Sequence, residues 1–418
     1  LTGEDSVTAL CLVSALLRSK SVGKDSFEAL GLKLFLKHVV NSKTVLPSAM
    51  VQFTSIVFAN VTHDQFREEI LPVLKKALLR NPETSLPSVA HVLNGLSLDL
   101  SQYVDELTES LVGQLSSQQD AVRQAAADGI GSLARACSDV DAVERLTTSL
   151  TNCLKGKQVV SQKLQAWQAL TSVAANAASK STQRELSCRL AEELLKVLVE
   201  QVQESSTVAG IACVKAWSPQ PTEGILQLLK AGFGNKTLNN RQHFLYADAV
   251  CSLFQSDNLS DAANLIDYIG DCWSRVLAQK GQNVPMVMEC IPWLLLLLRL
   301  SSSHPNADTL ARQKVLPEVS LLMTKSLAEM LDSKGWTVLL LIVKHLFCQY
   351  AGDLPEDKLL NLARLVVTAA LTQSYEVRQT ADTVIKSILS GLDGTTTAEF
   401  LLKAADQYLA VNKVGAFL

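Results

Sequence analysis

The chain has 418 residues, of which 48% are hydrophobic, 19% charged and only 5% aromatic, and its formal net charge is −3. A chain of that size carries ample apolar side chain for a continuous core. A balance so near neutral excludes a polyanion binder that works by bulk charge and leaves only local basic patches.

The sequence begins at Leu1, without an initiator Met or a signal-like segment, so it is expected to be a piece of something larger. Helical periodicity becomes plain from Val104, where Val104, Leu107, Leu111 and Leu115 form one apolar stripe. After residues 116–119 a second stripe runs Val122, Ala126, Ile130, Leu133, Cys137, and a third runs Val143, Leu146, Leu150, Leu154. The fourth includes Val160, Leu164, Trp167 and Ala174. Near the end, Leu359, Leu362, Val366 and Ala369 are followed by Val377, Ala381, Val384 and Ile388. The apolar runs at 291–298 and 336–347 fall short of the roughly 18 residues that a membrane span needs, and both are expected as buried helices.

First helices of successive pairs are expected to begin near Asp64, Ser101, Asp139, Ser181, Pro221, Ser260, Ala307, Pro355 and Thr396. That spacing overlaps the HEAT and armadillo period of about 40 to 47 residues and fits tetratricopeptide or ankyrin periods worse. The fold class predicted is therefore all-α, a HEAT/armadillo-type α-solenoid of roughly nine to ten antiparallel helix pairs. Capping boxes are expected at Thr62 with Gln65, Thr182 with Glu185 and Thr396 with Glu399. Breaks are expected at 218–221, 232–240, 301–306, 352–355 and 391–397, with essentially no sheet. Asp120, Val122, Arg123 and Glu376, Val377, Arg378 match the entry to a HEAT second helix, where an acid and an Arg are expected to form a ladder between neighbouring turns of the stack. No linker is long or charged enough to separate domains, so residues 1–418 read as one continuous solenoid.

Residues that could carry chemistry do not assemble into a site. The nine cysteines, Cys11, Cys137, Cys153, Cys188, Cys213, Cys251, Cys272, Cys290 and Cys348, are widely spaced and never in a C-x-x-C pair, as reduced, buried, intracellular cysteine is. The three sequons at Asn60, Asn235 and Asn258 are read as silent. The six histidines, His38, His63, His91, His243, His304 and His345, share no metal-ligand spacing and read as surface or edge residues. The segment 232–237 faintly resembles a phosphate loop. It lacks the Gly directly before the Lys and a preceding strand, so it reads as a polar turn between helices. Two short basic clusters, Lys33, Lys37 and His38, then Lys75, Lys76 and Arg80, could touch phosphate or acidic protein, or simply complement helix C-termini. Aromatics do not interleave with them, so no base-stacking platform is indicated. Catalytic, cofactor-binding and metal residues are all expected to be absent, as are a membrane and a small-molecule ligand.

Four runs carry a family resemblance: LSLDLSQY at 96–103, LARACSD at 133–139, LLLLLRLS at 294–301 and VRQTADTVIKSILSGL at 377–392. In this order they resemble the amino-terminal region of the general control non-derepressible protein 1 family, over residues 96–413, while 1–95 show only a compatible helical pattern. The resemblance implies a cytoplasmic HEAT scaffold that associates with translating or stalled ribosomes. It also implies a parent protein that activates the initiation-factor-2 kinase of amino-acid starvation and works with an ATP-binding-cassette partner, through sections outside this chain. The alternatives are a HEAT-repeat nuclear-transport receptor, which would be strongly acidic with Trp and Asn arrays, or a regulatory scaffold for a phosphatase or chromatin complex.

Overall fold

The computed structural model describes residues 61–156, 158–177, 184–218, 221–254, 262–279, 282–391 and 399–407. The expectations for Cys11, for Lys33, Lys37 and His38, for the sequons at Asn60 and Asn258, and for the caps at Thr182 and Thr396 lie outside these residues. Among the described residues every regular element is helical and no strand occurs. The chain divides into two compact units, Leu1–Pro219 and Gln220–Leu418.

Unit 1 contains four described helix pairs. The first is α1 (63–80) with α2 (Pro82–Gly95), and the second is α3 (Val104–Gln114) with α4 (Asp120–Ala136). The third is α5 (Val140–Lys155) with α6 (Val160–Ala177), and the fourth is α7 (Arg184–Val199) with α8 (Glu204–Trp217). Second helices stack on second helices, α2 on α4 on α6 on α8, while first helices line up as α1, α3, α5, α7 in a second layer. This is the helix-pair repeat that the spacing predicts, and the three stripes from Val104 to Leu154 are buried throughout.

The fourth stripe is set differently. Val160 is exposed and Leu164 only half-buried, and the core face of α6 is Ala166, Trp167, Leu170, Val173 and Ala174. The first turn of α6 holds no fully buried residue. There the helix-period pattern counts an apolar residue as core although no neighbouring helix covers it.

Unit 2 repeats the plan with α9 (Glu223–Phe233) and α10 (Asn240–Leu253), then α11 (Ala262–Ala278) and α12 (Val284–Leu300). A longer first element, α13 (305–323), is followed by the short α14 (Lys325–Met330) and by α15 (Ser333–Tyr350). The last described pair is α16 (Glu356–Thr372) with α17 (Tyr375–Gly391), and residues 399–407 are also helical. Here α10, α12, α15 and α17 form the second-helix layer. The two apolar runs lie in α12 and α15 as buried helices, with Leu294, Leu296 and Leu297 sealed in one and Leu339, Leu340 and Ile342 in the other.

Two first helices share a feature that the period alone does not reveal. Both α1 and α13 widen into a single π-turn, at Phe66–Ile70 and Ala311–Val315, and the wide bond is closed by Leu71 N to Phe66 O and by Leu316 N to Ala311 O. In each the next residue is a proline, Pro72 or Pro317. Proline has no N–H, and its ring clashes with the carbonyl four residues back. A one-residue widening just before it moves that carbonyl aside. The helix α1 survives its proline, whereas α13 passes into a 3-10 stretch, Leu316–Met323.

The N-terminal cap of α1 is the expected capping box, with Thr62 accepting from Gln65 N at 3.3 Å and Gln65 accepting from Thr62 N at 3.1 Å. An unforeseen box opens α10, where Asn239 accepts from Gln242 N at 2.9 Å and Gln242 accepts from Asn239 N at 3.1 Å.

Candidate interaction surface

Because first helices lie beside first helices and each pair turns back within a few residues, unit 1 has two edges. One consists of the turns inside pairs, and hydrogen bonds run from each turn to the next. Gln114 Nε2 at the end of α3 donates to Leu78 O at the end of α1 at 3.5 Å, and Gln119 donates to Glu83 at the start of α2. Gln162 in α6 donates to Ser116 O at 3.3 Å, and Trp167 Nε1 donates to Gln201 Oε1 at 3.3 Å.

The other edge consists of the turns between pairs, and two of the runs that carry the family resemblance meet there. Leu100 N, in 96–103, donates to Ala136 O at 2.9 Å, in 133–139. Asp99 accepts from Ser101 N at 3.1 Å and Ser101 Oγ at 2.6 Å, and across the turn from Ser138 N at 3.0 Å and from the Ser138 hydroxyl. Ser101 Oγ in turn accepts from Asp139 N at 3.0 Å. These runs are a pin between successive repeats. Burial alone would raise the Asp99 carboxyl, but the hydrogen bonds from Ser101 and Ser138 outweigh it and hold it down at about 2. A depressed carboxylate stabilises the fold above its unfolded value near 4 and loses that contribution as pH falls through about 2. Asp99→Ala is expected to cost about 1–2 kcal/mol at neutral pH, the range for losing a charged cap. Urea unfolding of the whole chain measures it, and an unchanged midpoint refutes the pin.

A ladder of ion pairs crosses the first-helix layer. Lys75 in α1 pairs with Glu106 in α3 at 2.8 Å, Asp105 in α3 with Arg145 in α5 at 3.0 Å, and Glu144 in α5 with Arg189 in α7 at 2.9 Å. All six side chains are partly solvated, so each rung contributes at most about 1 kcal/mol and chiefly sets register. The ladder therefore exists, but not where the sequence motif puts it. Arg123 is buried, pairs with Asp120 in its own helix and donates to Ser117 O at 2.7 Å, closing the turn inside its pair. Glu376 and Arg378 are both exposed.

Of the basic cluster Lys75, Lys76 and Arg80, the first is taken up by Glu106, while Lys76 and Arg80 are exposed near the end of α1. Basic residues also occupy the last turns of α5 and α7, Lys155 and Lys196, and both are exposed. The large apolar side chains exposed on the described part of unit 1 are Leu79, Val159, Val160, Val202 and Val208. Every one lies at a turn inside a pair or within two helical turns of it.

In unit 2 ion pairs cross the second-helix layer. Arg241 in α10 pairs with Asp332 at the cap of α15, and Lys334 in α15 pairs with the nearly buried Asp248 of α10 at 2.7 Å. These pairs join helices two repeats apart. Between them His243 Nδ1 stands 3.3 Å from Glu289 of α12 and Nε2 lies 2.9 Å from Asn235 O. The Glu289 hydrogen bond raises the His243 pKa against the opposing effect of burial. His345 is half-buried, and burial with Arg299 and Lys344 nearby lowers it to about 4. These two histidines are therefore partly enclosed, while His63 and His91 are exposed as expected.

The segment 232–237 is the polar turn that the sequence suggests. Asn235 Oδ1 accepts from Thr237 N at 3.1 Å and from Thr237 Oγ1 at 2.8 Å. Of the described cysteines five are buried, as expected for most of them, Cys153 and Cys188 are half-buried, and Cys348 is exposed. Burial raises the thiol pKa of Cys213 to about 12 and also that of Cys348, so neither is a ready thiolate at neutral pH. Among the described residues no group of His, Cys, Asp and Glu is arranged to hold a metal ion, and no helix is long and apolar enough to cross a membrane.

The family model described as stalled ribosome sensor GCN1 N-terminal matches residues 29–164, so the likeness starts well ahead of Leu96, where sequence reading placed it. The human stalled ribosome sensor GCN1 is 26% identical over 395 residues, covering 92% of this chain and 15% of that protein, and the mouse protein gives the same identity and coverage. The protein ILITYHIA of Arabidopsis thaliana is 22% identical over 403 residues, again covering 92% of this chain and 15% of its own length. The chain thus spans about 15% of the length of the curated relatives it matches. Along nearly its whole length, then, this stack of helix pairs is similar to the GCN1 proteins, and over residues 29–164 to the model of their amino-terminal region.

Proposed function

We propose that residues 1–418 are one stretch of a non-catalytic HEAT scaffold in translational control that associates with ribosomes in the cytoplasm. The observation that carries this reading is the match to the stalled ribosome sensor over 92% of the chain. Its support in the fold is that the pin between repeats, formed by 96–103 and 133–139, lies within the residues 29–164 that match the family model. In the parent protein the scaffold would support activation of an initiation-factor-2 kinase and work with an ATP-binding-cassette partner, through sections beyond this chain.

A near-neutral surface with scattered bases implies many weak contacts rather than one deep one. The chain should co-sediment with purified ribosomes at low salt, and its affinity should fall steeply as salt rises, because contacts to ribosomal RNA are phosphate-directed. Reversing Lys76 and Arg80, or Lys33 and Lys37, should each weaken co-sedimentation about two- to five-fold, and reversing all four should weaken it further with helical circular dichroism unchanged. Failure to sediment at low salt defeats the reading for this stretch. Sedimentation indifferent to salt and to both reversals removes the basic clusters from it.

A further inference from the structure

We propose that the edge of unit 1 made by the turns inside helix pairs docks an acidic amphipathic helix of a partner protein. The inference starts from an asymmetry. Isolated exposed apolar residues need no explanation, but here Leu79, Val159, Val160 and Val202 all sit at this edge. At the opposite edge the described apolar residues Leu96, Leu98, Leu100 and Val140 are buried or half-buried. An apolar cluster confined to one rim of a folded unit marks a contact surface.

The charge beside it selects the partner. Arg80, Lys155 and Lys196 end α1, α5 and α7 at this edge, and all three are exposed. Of the acids nearby, Asp120 pairs with Arg123, Glu83 accepts from Gln119 and Glu204 also has a partner, which leaves Glu200 as the exposed acid set against these three bases. Bases in a last helical turn are accounted for by the helix dipole alone, but the dipole gives no reason for exposed valines beside them. Conversely, RNA phosphates would satisfy the bases and leave the aliphatic side chains without a partner. A segment offering carboxylates and aliphatic side chains satisfies both.

The dimensions suit a helix. Adjacent helices in a layer stand about 8–10 Å apart, so the edge from Leu79 to Val202 crosses three such steps, about 30 Å. A helix of about 20 residues has that length, and its apolar stripe would meet the first, third and fourth turns while passing over the polar turn 116–119.

This surface shares Arg80 with the ribosome reading but does not depend on it, and its test reads a peptide rather than ribosomes. The probe is a fluorescent 20-residue synthetic helix with Leu on one face and Glu elsewhere, titrated into the whole 418-residue chain. The comparison probes are the same peptide with Leu replaced by Ser, the same peptide with Glu replaced by Lys, and a single-stranded RNA oligomer. Saturable binding of the Leu/Glu peptide at least ten-fold tighter than each comparison probe is the expected result. The triple variant Val159→Ser, Val160→Ser, Val202→Ser and the triple variant Arg80→Glu, Lys155→Glu, Lys196→Glu should each weaken it ten-fold or more. These positions are solvent-exposed, so unchanged circular dichroism and unfolding midpoint should accompany the loss. Reversing Asp105 and Asp141, away from this edge, should leave binding within two-fold. The proposal fails if the Leu/Glu peptide does not saturate, if the Ser-substituted peptide or the RNA binds as well, or if either triple variant binds undiminished.

Discussion

Replacing Leu111, Ile130 or Leu146 by alanine is expected to lower the stability of unit 1 by about 2–5 kcal/mol in each case, the range for opening a cavity in a packed core. The three side chains are fully buried on α3, α4 and α5. The helix α3 packs on both α4 and α5, and Leu111 lies close enough to Gly129 of α4 that a Cβ there would stand 3.3 Å from it. Leucine and isoleucine have no polar atom that a cavity water could satisfy, so the loss is both transfer and packing. Urea unfolding of the whole chain measures it, and a cost below about 0.5 kcal/mol at all three positions would place these residues on the surface. Contacts in a repeat array are between neighbours, so damage should stay local. Hydrogen exchange at the last described pair, 356–391, should barely respond.

Much of this core was legible in the sequence. The stripes from Val104 to Leu154 are regular because each helix buries one face between two neighbours, and that constraint repeats every 3.6 residues. Helix starts were legible where a cap announced them, as at Thr62, or where the repeat spacing did, as at Asp139, whose side chain accepts from Asp141 N. The cap at Asn239 was not, because it lies in the segment 232–240, which was read only as a break between helices. The prolines of α1 and α13 were opaque for another reason. Proline reads as a break, whereas here a π-turn absorbs it, and only the shared Leu-Pro at 71–72 and 316–317 hints that both positions solve the same problem.

The candidate surface was far less legible. Rungs such as Glu144–Arg189 join residues 45 apart, and their pairing requires the register of the stack, which no local pattern contains. The D-x-V-R signal did find a real ion pair, Asp120 with Arg123, but motif spacing could not tell a bond within a turn from one between repeats. Val160 fell in a helical stripe and was counted as core, because an apolar residue at a helix start looks the same whether or not a neighbour covers it. Exposure at an edge is a property of the stack. The basic residues were visible, and what separated them was the partner: Glu106 neutralises Lys75 and leaves Lys76 and Arg80 to solvent.

The second-helix layer owes its close approach to small residues, and Gly131 is where that approach is tightest. It lies in α4 against α6, where a Cβ would fall 1.9 Å from Ser172 Oγ and 2.8 Å from Ser172 Cβ. Rotating the serine removes the first clash and not the second, so an alanine at 131 forces the two helix backbones apart. In an isolated helix Gly→Ala is favourable by about 1 kcal/mol. Here overpacking, typically 1–3 kcal/mol, opposes it, and because α4 and α6 pack extensively on each other the separation is felt by other core contacts as well. Gly131→Ala is therefore expected to be net destabilising, by up to about 2 kcal/mol, and Gly131→Val by more. Ser172→Gly alone costs about 1 kcal/mol as a glycine in a helix. Combined with Gly131→Ala it vacates the space that the new methyl needs, so the double variant should be more stable than the two losses predict, by about 0.5–3 kcal/mol. Urea unfolding of the four proteins completes the cycle. If Gly131→Ala stabilises the chain, or if the two changes add without coupling, α4 and α6 do not pack backbone against side chain at this point, and the stacking of the second-helix layer would have to be set by its larger residues alone.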